Sequence, residues 1–423
     1  MTYEGLHSFF YNRVLNFKMS NILIIAKGSY GGILPLYALG QELQKRGHHV
    51  TAATFSTQKN TVLSLGFSSI VFDKPSLLSK PHSLKALRFQ TAVLLNAAHQ
   101  ADIIIGSYSV LLGRLIAKQA GKPWIYAPSF PLAVCSRYEP CLFPELQMIQ
   151  RSTALYWPQL QKLYFSIFYY ASYLVKVPAV LYQLSLDKAY YKHPLFEGKY
   201  SSDLNLLLTS PILVQPQKDW PKSTIVCGFS WFEPSFLGAS ENLTTLNSFI
   251  TAGSSPIVFT LGAGSRNNPV AFCQESIRAC QKLNVRGIIV AAKKFHAELK
   301  SSSEILVTDW LPYDKVFPYA KAVVHSGGIG TIGLCLKYGV PSLLIPVVAD
   351  QFDNAYRANK LGVAKVIFSQ RYQAEEMARL LSELLNDDAK KIQLEKISRK
   401  VREENGAQIA CDAIEMFIAH LAK

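Results

Sequence analysis

The chain reads as an α/β protein made of two Rossmann-like parallel-sheet domains that face each other across a cleft. Three observations predict this. Short apolar runs without polar alternation recur between helix-length segments, the pattern of strands buried on both faces. A glycine loop follows the first strand of each half, at Gly28–Pro35 and Gly262–Ser265. A break over Gly228–Asn242, containing Pro234 and Gly238, divides the 423 residues into two units of domain size.

Taken in order, residues 1–18 mix polar and aromatic side chains and lack the apolar run of a signal peptide. They are expected to be an extension outside the fold, and Met19 is a second candidate start. Asn21–Ala26 is a buried-strand run, Gly28–Pro35 a loop, Tyr37–Arg46 a helix, and Gly47–Thr51 the turn into the second strand. Strand and helix patterns continue through Ser69–Phe72, Leu84–Ala98, Asp102–Gly106, Val110–Gln119 and Pro123–Ala127. From Leu132 to Tyr200 the chain turns apolar and rich in tyrosine and phenylalanine. Leu163–Val175 is uncharged but too short for a membrane span, which needs about 20 residues. It suits an interfacial element, the wall of an apolar pocket or an ordinary core helix. Strands over Asn205–Thr209 and Ser223–Val226 complete a first domain over residues 19–227, and the linker is expected at 228–242.

In the second domain, over residues 243–403, Pro256–Leu261 is a strand leading into the Gly262 loop. A helix follows over Ala271–Lys282, then strands over Gly287–Val290 and Ile305–Thr308. The tail reads as three amphipathic helices, Gln373–Leu385, Lys390–Arg402 and Ala407–Leu421. The last lies in residues 404–423, which are expected to pack back on the first domain.

Charge and cysteines narrow the class. The formal charge is +15 and unevenly placed: 22 Lys+Arg face 10 Asp+Glu in residues 1–225, against 22 and 19 in the remainder. No helix-turn-helix, zinc-finger or RNA-binding signature accompanies this basic half, so nucleic acid is not the expected partner. An anionic membrane surface is the better match, with a plain solubility charge as the alternative. Seven cysteines, at 135, 141, 227, 273, 280, 335 and 411, form no C-x-x-C pair. Reduced thiols in the cytoplasm, at most peripheral at the inner membrane face, are expected.

The densest chemistry lies in Ala322–Asn354. An apolar strand ends in His325, glycines follow at 327, 328 and 330, and a helix runs to Lys337. Gly339–Pro341 stops that helix, and a second strand over Ser342–Val348 leads to Asp350 and Gln351. A strand, a glycine turn and a helix N-terminus bring backbone N–H groups and the helix dipole onto an anion. His325 adds a donor, and the carboxylate and amide of the next strand tip suit hydroxyls, so the stretch reads as a phosphate-plus-sugar site. Gly328-x-Gly330-x-x-Gly333 with Asp350 some 20 residues on also fits a dinucleotide site, an NAD(P)-dependent Rossmann enzyme. A third reading has the glycines serve only close strand–helix packing.

Together Asp309–Pro312, His325–Thr331, Gly339–Pro341 and Pro346–Gln351 resemble the two-domain GT-B glycosyltransferases, in the family that includes the sterol, macrolide and small-molecule glucosyltransferases. The resemblance covers the chain from about Met19. It implies a hexosyltransferase that inverts the anomeric carbon without a metal, using a UDP- or dTDP-sugar as co-substrate, not cofactor, and a hydrophobic or lipid-like acceptor. It places Trp310 beside the base and Ser265 near the phosphates. His325, Gly327, Gly328, Gly330 and Thr331 fall on the diphosphate, and Asp350 and Gln351 on the sugar. No D-x-D carboxylate pair for a metal is present.

The family carries an acid or histidine as base in a G-(D/H)-x-x-P frame, which here reads Gly31-Gly32-Ile33-Leu34-Pro35. Gly32 cannot take a proton, and Ser107 stands where a partner acid is usual. The candidates for a replacement base are His82, His99, His193 and Asp73. A GT-B-fold protein that binds without turnover is the alternative.

Overall fold

The computed structural model describes residues 19–73, 84–110, 112–136, 138–139, 167, 198–232, 240–261 and 269–421. Ser265, His82, His193 and most of Leu163–Val175 lie outside them. Two all-parallel sheets organise the described chain. The first has the order β3-β2-β1-β4-β5-β6-β7. Its strands are β1 (Asn21–Ile25), β2 (His49–Thr54), β3 (Ser68–Val71), β4 (Ile103–Gly106), β5 (Trp124–Tyr126), β6 (Leu204–Leu207) and β7 (Thr224–Val226). The second, ordered β10-β9-β8-β11-β12-β13, contains β8 (Ile257–Thr260), β9 (Gly287–Val290), β10 (Ile305–Thr308), β11 (Ala322–His325), β12 (Ser342–Leu344) and β13 (Ala364–Val366).

In the first domain helices α1 (Tyr30–Lys45), α2 (Lys59–Ser64), α3 (Leu84–His99) and α4 (Gly113–Ala120) connect the strands. In the second, α5 (Ser240–Thr251), α6 (Pro269–Leu283), α7 (Tyr313–Val316), α8 (Ile329–Tyr338), α9 (Gln351–Lys360), α10 (Ala374–Leu385) and α11 (Asp388–Arg402) do so. Helix α12 (Gly406–Leu421) ends the described chain. Among the described residues no helix is long and apolar enough to cross a membrane.

The run NILII of β1 shows why the strands are apolar throughout. Leu23 and Ile25 face α3 and α4, while Ile22 and Ile24 face α1 and α12. Helix α12 closes this second layer with Ala410, Cys411, Ile414 and Ile418. Arg46 fixes it from α1's end, donating to Asp412 Oδ1 (2.6 Å) and Glu415 Oε2 (2.7 Å). His48 Nε2 lies 3.5 Å from Glu415 Oε1, and its Nδ1 accepts from the Ser20 N–H. The last helix therefore belongs physically to the first domain's core.

The chain crosses between the domains twice, and the crossings are tied together. Glu404 accepts from Ser210 Oγ (2.5 Å) and the Phe229 N–H (2.9 Å), and Gly406 N–H donates to the Phe229 carbonyl (3.0 Å). Gly406 passes so close that a Cβ would overlap the Gly228 carbonyl. An apolar cluster spans the boundary, joining Leu213 and Phe229 to Ile329, Ile332, Leu344 and Ala355.

Some bounds differ from the sequence reading. Residues 28–35 are not all loop, because α1 starts at Tyr30 and runs through Pro35. Proline cannot donate to the carbonyl four residues back. That carbonyl, of Gly31, accepts from Ser129 Oγ at 3.3 Å, so the helix continues. The strand expected to reach Val348 stops at Leu344, since Pro346 has no N–H for a ladder. Helix α5 has begun by Ser240, inside the segment assigned to the linker.

Candidate functional site

The strand order reverses between β8 and β11 in the second sheet, and between β1 and β4 in the first. In open α/β sheets ligands bind at the carboxyl ends of the strands flanking such a reversal. The loops leaving β8 and β11 are the glycine loop at 262–265, outside the described residues, and the turn His325–Gly328.

That turn is held from two sides. The Gly327 N–H donates to His325 Nδ1 (3.2 Å), and the Gly327 carbonyl accepts from Asn354 Nδ2 (3.1 Å). Gly327 has φ +83°, and a Cβ there would press on the Gln351 carbonyl at 3.1 Å. Only glycine fits both demands without strain. The turn feeds α8, whose first i→i−4 bond runs from the Ile332 N–H to the Gly328 carbonyl. The N–H groups of Ile329, Gly330 and Thr331 precede that bond, and among the described residues no side chain is recorded as capping the helix. Gly330 is exposed, with open space where a Cβ would be. Among the described residues, N–H donors and a positive dipole end thus converge where an anion can approach.

His325 stands behind this turn. It is 1% exposed, and its Nε2 lies 3.9 Å from Cys335 Sγ. Because Nδ1 accepts from Gly327, the ring is neutral with its proton on Nε2. Burial drives its pKa down to about 3. In this arrangement the imidazole organises the turn, with both ring nitrogens facing protein.

Asp350 and Gln351 lie on the loop between β12 and α9. Gln351 Oε1 accepts the N–H groups of Val347 (2.9 Å) and Val348 (3.0 Å), and its Nε2 donates to Ser326 Oγ (3.3 Å). The amide therefore stitches the loop after β12 to the loop after β11, which leaves it little capacity for sugar hydroxyls. The brace also holds Ala349 at φ +49°, a left-handed conformation that costs a side-chain-bearing residue. Asp350 is half-buried, and its Oδ2 accepts from Asn354 Nδ2 at 2.7 Å. Burial raises the carboxyl to about 6, against the opposing Asn354 bond. Asn354 was not singled out from sequence, although it grips the glycine turn and the acid together. Its position one turn after Asp350 in α9 was the available signal.

Trp310 is half-buried three strands from the turn, about 14 Å by strand spacing. Thr308 Oγ1 donates to its carbonyl (2.9 Å) and accepts from its N–H (3.4 Å). With Thr245, Leu246 and Pro312 it lines a recess of about 80 Å³. Between them, Thr260 and Tyr313 share a 2.6 Å hydrogen bond at the end of β8.

Across the boundary, α1 packs against α8. Gly31 and Gly32 sit in α1's first turn, where a Cβ at either would meet nothing within 4 Å. Ser107 is buried after β4. The proposed replacement bases fare differently. Asp73 is spent on Ser56, accepting its N–H (2.7 Å) and hydroxyl (2.9 Å). His99 ends α3, which runs back to the amino edge of the sheet before β4, so it lies away from the reversal point. A titratable side chain overlooked in sequence lies at the carboxyl end of β1: Lys27 is buried there and donates to Gln90 Oε1 at 2.8 Å.

Comparison with known proteins agrees with this geometry. Residues 282–416 match the family model described as erythromycin biosynthesis protein CIII-like, C-terminal domain. A sterol 3-beta-glucosyltransferase of Candida albicans is 26% identical over 93% of this chain, which spans 27% of that protein's length. The glycosyltransferase of kitacinnamycin superposes with a TM-score of 0.67 at 20% identity, covering 95% of this chain and 100% of the other. The glycosyltransferase VinC, solved in complex with dTDP, gives 0.64 at 15% identity, over 95% and 100%. The chain shares the two-sheet GT-B fold of these glycosyltransferases, and its sequence is similar to sterol 3-beta-glucosyltransferases.

Proposed function

We propose that the protein transfers a hexose from a nucleotide sugar, a UDP- or dTDP-sugar, to a hydroxyl of a sterol or other lipid-like acceptor. The observation that carries this reading is the joint grip of Asn354 on the Gly327 carbonyl and the Asp350 carboxylate. It holds an anion-binding helix end and a hydroxyl-binding acid in one fixed relation, as a sugar diphosphate requires. The base would rest near Trp310, and the glycine loop with Ser265 would border the phosphates. Gly328, Gly330 and Thr331 would offer N–H groups to the diphosphate. The acceptor oxygen would attack the anomeric carbon from the first domain's side, opposite the leaving group, which inverts that centre. Charge growing on the departing nucleoside diphosphate would be met by fixed N–H donors, which need no metal to do so. The basic first half suits acceptors drawn from an anionic membrane surface.

The test is incubation with labelled UDP- and dTDP-glucose and a panel of sterols and lipid extracts. A chromatographically distinct glycolipid is expected. The positions of Gly32 and Ser107 favour a second reading, a GT-B-fold protein that binds donor without turnover. Measurable nucleotide binding with neither transfer nor donor hydrolysis would establish it. The dinucleotide reading has spacing alone behind it. Its third glycine, Gly333, instead makes room for Phe229, which a Cβ would approach at 2.8 Å.

A further inference from the structure

The helix that braces the sugar acid also carries the charged contact between the domains. At the N-terminal end of α9, Gln351 and Asn354 hold the two donor loops. One turn on, Arg357 is 6% exposed and reaches the first domain. Its Nε donates to Asp353 Oδ2 (2.8 Å) on its own helix, and Asp353 is fully buried. Its Nη1 donates to the Leu213 carbonyl (3.2 Å) and lies 2.8 Å from Glu139 Oε1. Leu213 and Glu139 both belong to the first domain. Around them, the Pro131–Ala133 turn packs on α9.

A buried guanidinium is stable only when its charge and its planar set of N–H donors are matched. Here Asp353 supplies part of that match and the first domain supplies more. Seating of the first domain and placement of α9 are therefore one energetic event. From Asp350 to Arg357 is seven residues, about 10 Å along a helix axis, a distance a single rigid helix spans.

Resting on the donor-site reading above, we propose that Arg357 is a positioning residue: through α9, the first domain's grip on its guanidinium sets Asp350 and the Gly327 turn for the donor. By linkage, whatever fixes α9 from the donor side also favours the seated domain arrangement, to the same degree.

The test substitutes Glu139, which lies on the domain that does not hold the donor. UDP and dTDP affinity is measured by calorimetry on the full chain for wild type, Glu139→Ala and Glu139→Gln. Lys360→Ala, an exposed position on the same helix, is the control. The expected result is about tenfold weaker binding for Glu139→Ala and a smaller loss for Glu139→Gln. Lys360→Ala should match wild type in binding and in unfolding midpoint, and the Glu139 variants should have lower midpoints but stay folded at the temperature of the binding measurement. Arg357→Lys, which keeps the charge but loses the fork, should weaken binding like Glu139→Ala if it folds. Wild-type affinity in both Glu139 variants would overturn the coupling while leaving the donor site intact. Absence of binding by wild type to either nucleotide would overturn both.

Discussion

Asn354 Nδ2 donates to Asp350 Oδ2 at 2.7 Å, with the same amide held by the Gly327 carbonyl at 3.1 Å. Two acceptors on one NH₂ fix the amide's orientation. Burial raises this carboxyl to about 6, the Asn354 bond lowers it, and the buried Asp353 raises it. Below about pH 6 the ligand-free protein holds Asp350 protonated, as a poorer acceptor for hydroxyls. Donor KM is therefore expected to rise as pH falls through 6, with little change above 7. In Asn354→Ala the stabilising bond is gone, so the inflection should move to higher pH. An unmoved profile would separate Asp350 from the sugar.

The same carboxylate has a stability signature of the opposite sense to its function. The folded state binds the Asp350 proton more tightly than the unfolded chain does. Its contribution is thus most favourable below the ordinary carboxylate value and is lost as pH rises from about 4 to about 6. Asp350→Asn keeps the shape without the charge. It should raise the unfolding midpoint at pH 7.5, lose that advantage at pH 4, and lower donor use at both.

His325 gives a separable prediction. Burial holds it neutral, so no inflection between pH 5 and 8 should trace to it. His325→Ala removes the acceptor for the Gly327 N–H and should cut kcat/KM for the donor about 10- to 100-fold. Asparagine can present Oδ1 near the position of Nδ1, so His325→Asn should recover part of the loss. The His296 ring bonds the Ala291 carbonyl, away from the turn, at 2.9 Å, and His296→Ala should stay within about twofold of wild type. Equal effects of His325→Ala and His296→Ala would remove His325 from the donor site.

What could be read from sequence divides along physical lines. NILII at β1 and AVVH at β11 announce themselves because a strand buried on both faces has a purely local pattern. The glycine turn and the reversal-point loops follow from strand order, which the α/β alternation dictates. The roles of Gln351 and Asn354 were not legible, because each is defined by a loop about 25 residues away in sequence. The two-sided hold on His325 depends on a rotamer, and polar residue type alone suggested a ligand. The start of α1 was hidden by Pro35, whose tolerance depends on Ser129, a residue from another strand's end.

The two glycines at 327 and 330 should respond in opposite ways. Gly327→Ala forces a side chain into φ +83° against the Gln351 carbonyl and should cost about 1–3 kcal/mol of stability. At Gly330 the space is open and the backbone helical, so Gly330→Ala should stabilise α8 by about 0.5–1 kcal/mol. The added methyl occupies the approach to the helix end, and donor affinity should fall despite the more stable fold. Thermal unfolding and nucleotide calorimetry on the same pair of variants measure both effects.

Gly32 offers the most direct question about turnover. A Cβ there meets nothing within 4 Å, and the residue lies in the first turn of α1, where a negative charge is favoured by the helix dipole. Gly32→Asp is therefore expected to fold at least as well as wild type. Positioned proton acceptors contribute about 10²–10⁴-fold to reactions of this kind. If the wild-type crevice lacks a base, Gly32→Asp should raise kcat at least tenfold with donor KM unchanged, and Gly32→Asn, equal in size but without basicity, should not. If another group already takes the proton, Gly32→Asp should leave kcat where it is. Replacing Lys27 by methionine then identifies that group: a loss of kcat with intact donor binding would assign the proton to the amine at the end of β1.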